Sequence, residues 1–186
     1  MDEQIAALLA DAMRAIDASG ELPIDWRRAV RRALLERGQA WPRVEIEAVR
    51  RVLSVWAAHY PATGPIDLLA TTEAFLAGSA DRGRLEDAAN RLESLVQDID
   101  THDDDELSLV TSVGWAATRA AWSAFAAEFD EASMDADPWE WTASFGASMV
   151  DAGGAVWDNR GDPARRRAFW EWWLEEAVPA ALLGDA

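Results

Sequence analysis

Between Asp104 and Glu131 the chain reads DDELSLVTSVGWAATRAAWSAFAAEFDE, and the way this stretch folds decides the architecture. Advancing by about 100° per residue puts Leu107, Thr111, Trp115, Thr118, Trp122, Phe125, Ala126 and Phe129 on one arc about 100° wide, the width of a buried helical face. The other sides carry Leu109, Val110, Val113 and a series of alanines, and Arg119 is the only charge between Glu106 and Glu128. A helix that is apolar all round is packed all round. The stretch therefore predicts a central, Trp-rich helix over 104–131 with other helices about it. The acidic run Asp103 to Glu106 stands at its start, where negative charge complements the positive end of the helix dipole.

The same periodicity extends outward in both directions. Apolar residues recur three and four apart along nearly the whole chain, and no stretch shows the sustained alternation, rich in Val, Ile and Tyr, that a strand needs. The expected fold is all-α, with about eight helices in a single domain over residues 1–186. Expected helices run over Asp2 to Ala18, Asp25 to Arg37, Pro42 to His59, Pro65 to Ala77, Arg84 to Asp100, Asp104 to Glu131, Pro138 to Ala152 and Pro163 to Val178. Asp137-Pro138 and Asp162-Pro163 each place a carboxylate at an N-cap and a proline at the first helical position, where no N–H is missed. Gly153-Gly154 reads as a helix stop.

With 186 residues the chain is long enough for one substantial core, burying about 70% of the surface exposed when unfolded. It has no cysteine and only two histidines, His59 and His102, so disulfides and thiolate zinc sites are excluded and a metal site would need carboxylates. His102-Asp103-Asp104-Asp105-Glu106 has ligand atoms without a metal-binding spacing and reads as a solvated acidic turn. His59, at a helix end, suits the helix dipole. No nucleophile elbow, phosphate-binding loop or dinucleotide fingerprint is present. Glu140 and Asp151 share a predicted helix face but lie roughly 16 Å apart along it, too far for paired acid–base work on one bond. No catalytic, cofactor or metal residue is assigned.

All seventeen basic residues are arginine, against thirty-four acidic ones, for a net charge of −17. That field repels nucleic acid and anionic membranes and attracts a basic protein. The charge is unevenly spread: residues up to Tyr60 carry nine acids and nine bases, whereas Ser94 to the end carries nineteen and five. Arg27, Arg28, Arg31 and Arg32 form a basic patch on the second helix, able to pair with the acidic half. The start Met1-Asp2-Glu3 lacks a signal-peptide pattern and no stretch is apolar enough to span a bilayer, so the expected location is cytoplasmic.

Eleven tryptophans raise the question of core against binding surface. Trp56 shares a stripe with Val49, Val52, Leu53 and Tyr60, and Trp115 and Trp122 share the central arc; these read as core. In Phe169-Trp170-Glu171-Trp172-Trp173-Leu174, the apolar arc takes Phe169, Trp170, Trp173 and Leu174, while Trp172 falls on the polar side near Arg165, Glu175 and Glu176. Trp172 either packs on a neighbour or offers an aromatic anchor to a partner, the type of residue in which binding hot spots are enriched. Trp157, in the loop Trp157-Asp158-Asn159-Arg160-Gly161, has the same two readings. Candidate partner-binding residues are Trp139, Glu140, Asp151, Trp157, Asp158, Trp172, Glu175 and Glu176.

The C-terminal third adds a resemblance. Asp137-Pro138-Trp139-Glu140-Trp141, Ala143-Ser144-Phe145-Gly146-Ala147-Ser148 and Ala152-Gly153-Gly154-Ala155-Val156-Trp157, then Gly161-Asp162-Pro163 and the tail from Arg165 to Ala181, resemble the fifth numbered family of immunity proteins of bacterial polymorphic-toxin systems. The resemblance implies an all-helical protein, encoded beside a toxin, that neutralises it by binding, without catalysis and without a cofactor. It carries over no contact residue. The charge suits a cognate toxin domain that is basic and nuclease-like. A carboxylate enzyme assembled between helices and a helical adaptor or scaffold are the alternative readings.

Overall fold

The computed structural model describes residues 3–60, 64–99, 105–125, 133–135, 140–155, 157 and 160–184, and of residues 105–107 the backbone alone. The helices in chain order are α1 (Glu3–Ala15), α2 (Ile24–Leu35), α3 (Ala40–Ala57), α4 (Pro65–Leu76), α5 (Arg82–Ile99), α6 (Asp105–Ser123), α7 (Ala143–Ala152) and α8 (Pro163–Trp172), which runs through a π-helical turn (Trp173–Ala177) into α9 (Val178–Leu183). The fold is all-α, and there is no strand among the described residues.

Two helices share the centre. α6 packs against α3, α4, α5 and α7, and α3 packs in addition against α2 and α9. The deepest side of α6 is its alanine side: Val110, Val113, Ala116, Ala117, Ala120 and Ala121 are all buried, together with Thr111 and Thr118. Trp115, Trp122 and Phe125, on the arc expected to be buried, are half-buried against the edge of the core. Small side chains are what let other helices approach closely, so the alanines occupy the tightest contacts and the large rings fill the wider margins. Gly114 marks the closest approach, since a Cβ there would stand 2.3 Å from Val96 Cγ2 and 3.1 Å from Trp56 Cζ3. Among the described residues four tryptophans, Trp41, Trp56, Trp170 and Trp173, are fully buried.

Most helix ends fall within three residues of expectation, and the larger differences lie in three places. α6 ends at Ser123, with Ala124 and Phe125 in a turn held by N–H bonds to Ala121 O and Trp122 O; the rest of the expected span, 126–131, lies outside the described residues. α7 begins at Ala143 because Thr142, extended at ψ 156°, accepts the Phe145 N–H at 3.2 Å and acts as N-cap. The Asp137-Pro138 start lies outside the described residues, as does the run from His102 to Asp104. At the C-terminus the rod continues past Val178. Pro179 has no N–H to give, and the turn widens by one residue before it, so that Val178 N–H reaches Trp173 O five positions back and the helix resumes.

Candidate functional site

The loop between α7 and α8 is built from its glycines and one buried arginine. Gly153, at φ 82°, closes α7 in the left-handed conformation. Asp162 then accepts the Ala164 N–H at 2.8 Å and starts α8 ahead of Pro163, as its sequence predicts. Beneath the loop lies Arg166, 1% exposed. Its guanidinium donates to Gly154 O at 2.9 Å, Arg160 O at 3.1 Å and, across to the α1–α2 connection, Ser19 O at 3.0 Å. A Cβ at Gly161, where φ is 79°, would meet Gly154 O at 2.7 Å and the Arg166 guanidinium at 2.8 Å. The two ends of the loop are thus pinned from inside.

On its outer side the loop presents Trp157, 58% exposed. The indole lies 5.5 Å from the Trp141 ring and 6.1 Å from Phe145, which itself meets Trp141 edge-on at 5.7 Å. Beside this aromatic shelf runs a groove of about 640 Å³, lined by Ser108, Leu109 and Ser112 of α6, Trp141, Met149 of α7, and the loop through Trp157, Arg160 and Gly161.

The start of α7, behind the shelf, is anchored from α3. The fully buried Glu45 carboxylate accepts the backbone N–H groups of Ala143 at 2.6 Å and Ser144 at 3.2 Å and the hydroxyl of Ser144. Ser144 Oγ in turn accepts the Trp173 indole N–H at 2.9 Å. A second buried network lies between α2 and the connection to α7. Arg27, 6% exposed, donates to Glu21 at 3.1 Å, stands 3.5 Å from the Asp135 carboxylate and stacks over Phe145 at 4.2 Å. Asp135, in the left-handed conformation at φ 58°, accepts the Thr142 N–H at 2.7 Å. Burial pushes the Glu21 and Asp135 carboxyls up from their ordinary values, and the neighbouring arginines offset only part of that effect.

The candidate partner-binding residues occupy three separate places. Trp157 forms the wall of the groove, and Glu140, partly exposed, adjoins it through Trp141. Asp151 and Trp172 come together on Arg51 of α3, which pairs with the Asp151 carboxylate at 3.7 Å and lies over the Trp172 ring at 4.5 Å. Trp172 also meets Phe169 at 5.6 Å and is half-buried. Glu175 and Glu176 are exposed on the π-helical turn, where Glu175 borders a second cleft with Leu9, Met13 and Arg14 of α1. That turn begins far along the rod from the loop, roughly 16 Å from Asp162 at 1.5 Å per residue. Trp139 and Asp158 lie outside the described residues.

The expected basic patch on α2 is mostly internal. Arg27 and Arg31 are buried, Arg31 over the Trp41 ring at 5.5 Å, and Arg28 is part-buried within reach of Met134 O at 3.5 Å. Arg27 does pair with an acid of the C-terminal half, Asp135. Sequence reading missed Glu45, Arg51 and Arg166. A signal existed for the first, since Glu45 lies one helical turn from both Trp41 and Val49 on a face that is otherwise apolar.

A family model described as Immunity protein Imm5 matches residues 10–180. The chain belongs to the Imm5 family. No curated protein matches the sequence. The Imm5 match takes in nearly all of the N-terminal half as well as the C-terminal third that carries the resemblance. Membership of an immunity-protein family points to a non-catalytic protein directed against a toxin. Among the described residues no helix is long and apolar enough to cross a membrane. Placed on the structure, much of the C-terminal sequence that resembles Imm5 is internal: Ser144, Ala147, Ser148, Gly154, Arg166, Phe169, Trp170 and Trp173 are buried, whereas Trp157 is largely in solvent.

Proposed function

We propose that this chain neutralises a cognate toxin by binding it directly, without chemistry of its own. The observation that carries this reading is the match to an immunity-protein family over residues 10–180. The net charge of −17 and its concentration after Ser94 support a basic partner, and a nuclease-like domain, cationic because it handles nucleic acid, is the toxin class that such a field attracts. Opposite fields raise association rates to about 10⁸–10⁹ M⁻¹s⁻¹ at low salt, which suits a protein that must capture a lethal enzyme inside the producing cell.

The contact residues in this reading are Trp157 with Glu140 at the groove, Asp151 and Trp172 around Arg51, and Glu175 and Glu176 on the π-helical turn. Buried aromatic anchors with a charged rim are the usual anatomy of a tight interface. The test is to express the toxin domain encoded beside this gene with and without this chain. Protection of the cells together with a purified complex of micromolar or tighter affinity is expected. Toxicity unaffected by this chain, with no complex, rules the reading out.

A further inference from the structure

We propose that the groove beside Trp157 is the docking point for the toxin, and that it takes a basic segment carrying one apolar side chain at its centre. This rests on the immunity reading above.

Three observations lead here. The first is the cost of the arrangement. An indole left 58% exposed gains little from burial, yet it is held in place against Trp141 and Phe145, so its ring already stands where a partner's side chain would meet it. Trp141, Met149 and Leu109 line the groove beside it. Its volume of about 640 Å³ accommodates a large apolar side chain with some of its flanking backbone.

The second observation is rigidity. The Arg160 N–H bonds to Ala155 O at 3.1 Å and the Asp162 N–H to Ala152 O at 2.8 Å, while Arg166 holds Gly154 O and Arg160 O from below. The two ends of the loop, fixed in this way, lose little conformational freedom when a partner settles beside them, which is how a preformed surface gains affinity.

The third observation is the placing of charge. Among the described residues no carboxylate lines the groove. In the chain, Asp162, which caps α8, directly follows the lining residue Gly161, and Glu140 directly precedes Trp141, in a protein of net charge −17. An apolar centre with an acidic rim complements a segment whose lysines or arginines flank an aromatic or aliphatic residue.

The experiment measures the affinity of the purified chain for the toxin domain encoded beside its gene, with thermal melting of each variant. Trp157→Ala removes the wall, and Ser112→Arg puts bulk and positive charge into the groove from a partly exposed position on α6. Both are expected to weaken binding by about 30-fold or more with melting temperatures close to wild type, while Glu3→Gln, in the exposed first turn of α1, changes affinity less than threefold. If the wild type binds and both groove variants bind as tightly, the groove proposal is overturned and the immunity reading stands. If the wild type does not bind, both fall. A wild-type dimer that becomes monomeric in both variants, with toxin affinity unchanged, assigns the groove to a second copy and also overturns the proposal.

Discussion

The Glu45 carboxylate, on α3, accepts the backbone N–H of Ala143 at 2.6 Å across 98 residues of chain. The first turn of a helix has N–H groups with no partner inside the helix, and here a buried anion from another helix supplies the acceptor. Its charge also complements the positive end of the α7 dipole. The shelf that carries Trp157 is therefore oriented by an interaction inside the core.

Removing that acceptor should be costly. Glu45→Ala leaves the Ala143 and Ser144 N–H groups and the Ser144 hydroxyl without their partner in a fully buried place, and a loss of about 3–5 kcal/mol is expected from denaturant unfolding. Glu45→Gln keeps one oxygen and should lose about 1–3 kcal/mol.

Arg166 supports the loop from the other side. Arg166→Lys preserves the charge but cannot reach three carbonyls with a planar fork. We expect a loss of about 2–3 kcal/mol and faster amide exchange in the loop, at Arg160 and Asp162 above all. Unchanged exchange there would show that the glycine turns hold the loop without the guanidinium.

Trp172→Ala should reduce stability by about 2 kcal/mol or more, since the ring is packed on Phe169 and covered by Arg51. An Arg51→Ala and Trp172→Ala cycle measures the pair itself, expected at about 0.5–1 kcal/mol. A stability change near zero for the single Trp172 variant would show that the stack contributes nothing to folding.

Stability should depend on pH in an uncommon direction for an acidic protein's buried carboxylates. Glu21 and Asp135 have folded pKa values raised above the ordinary 4.5 and 3.8 because they are buried. The folded state therefore holds these protons more tightly than the unfolded state. Ionised, each group costs stability, and that cost is relieved as pH falls through the raised folded value toward the ordinary one. Melting temperature should rise on acidification from about pH 7 to pH 5, helped by the easing of self-repulsion at net charge −17. Asp17 acts oppositely: its Ser19 hydrogen bonds hold its pKa below 3.8, so its contribution disappears only at more acidic pH. The Glu21→Gln, Asp135→Asn double variant should show a smaller rise over the same range, as differential scanning calorimetry can measure.

The local punctuation of the chain was legible in its sequence. Asp162-Pro163 starts α8, Gly153 ends α7, and the apolar stretch after Asp104 forms a central helix, because caps, glycine turns and periodicity act within a few residues. The sequence predicts that α6 is packed on every side, and Thr111 and Thr118 of its aromatic arc are buried, but the deepest side is the alanine side, since a helical wheel gives weight to large rings whereas alanine is what permits the closest packing. The pairing of Glu45 with Ala143, the bridging of Asp151 and Trp172 by Arg51, and the grip of Arg166 on three carbonyls were not legible. Each joins separate elements, and periodicity tells which face of a helix is covered without telling what covers it. Trp172 lies on the polar side of its helix as expected and is nevertheless half-buried, because an arginine of α3 lies over it.

The central claim, that this chain acts by binding and transforms nothing, is tested most directly by titrating the activity of a cognate toxin domain with purified chain at concentrations well above their dissociation constant. Binding predicts that activity falls linearly to a sharp endpoint at a fixed molar ratio, does not drift with time, and returns when the two proteins are separated. Progressive inactivation by a small fraction of an equivalent, with toxin that stays inactive after separation, would contradict it.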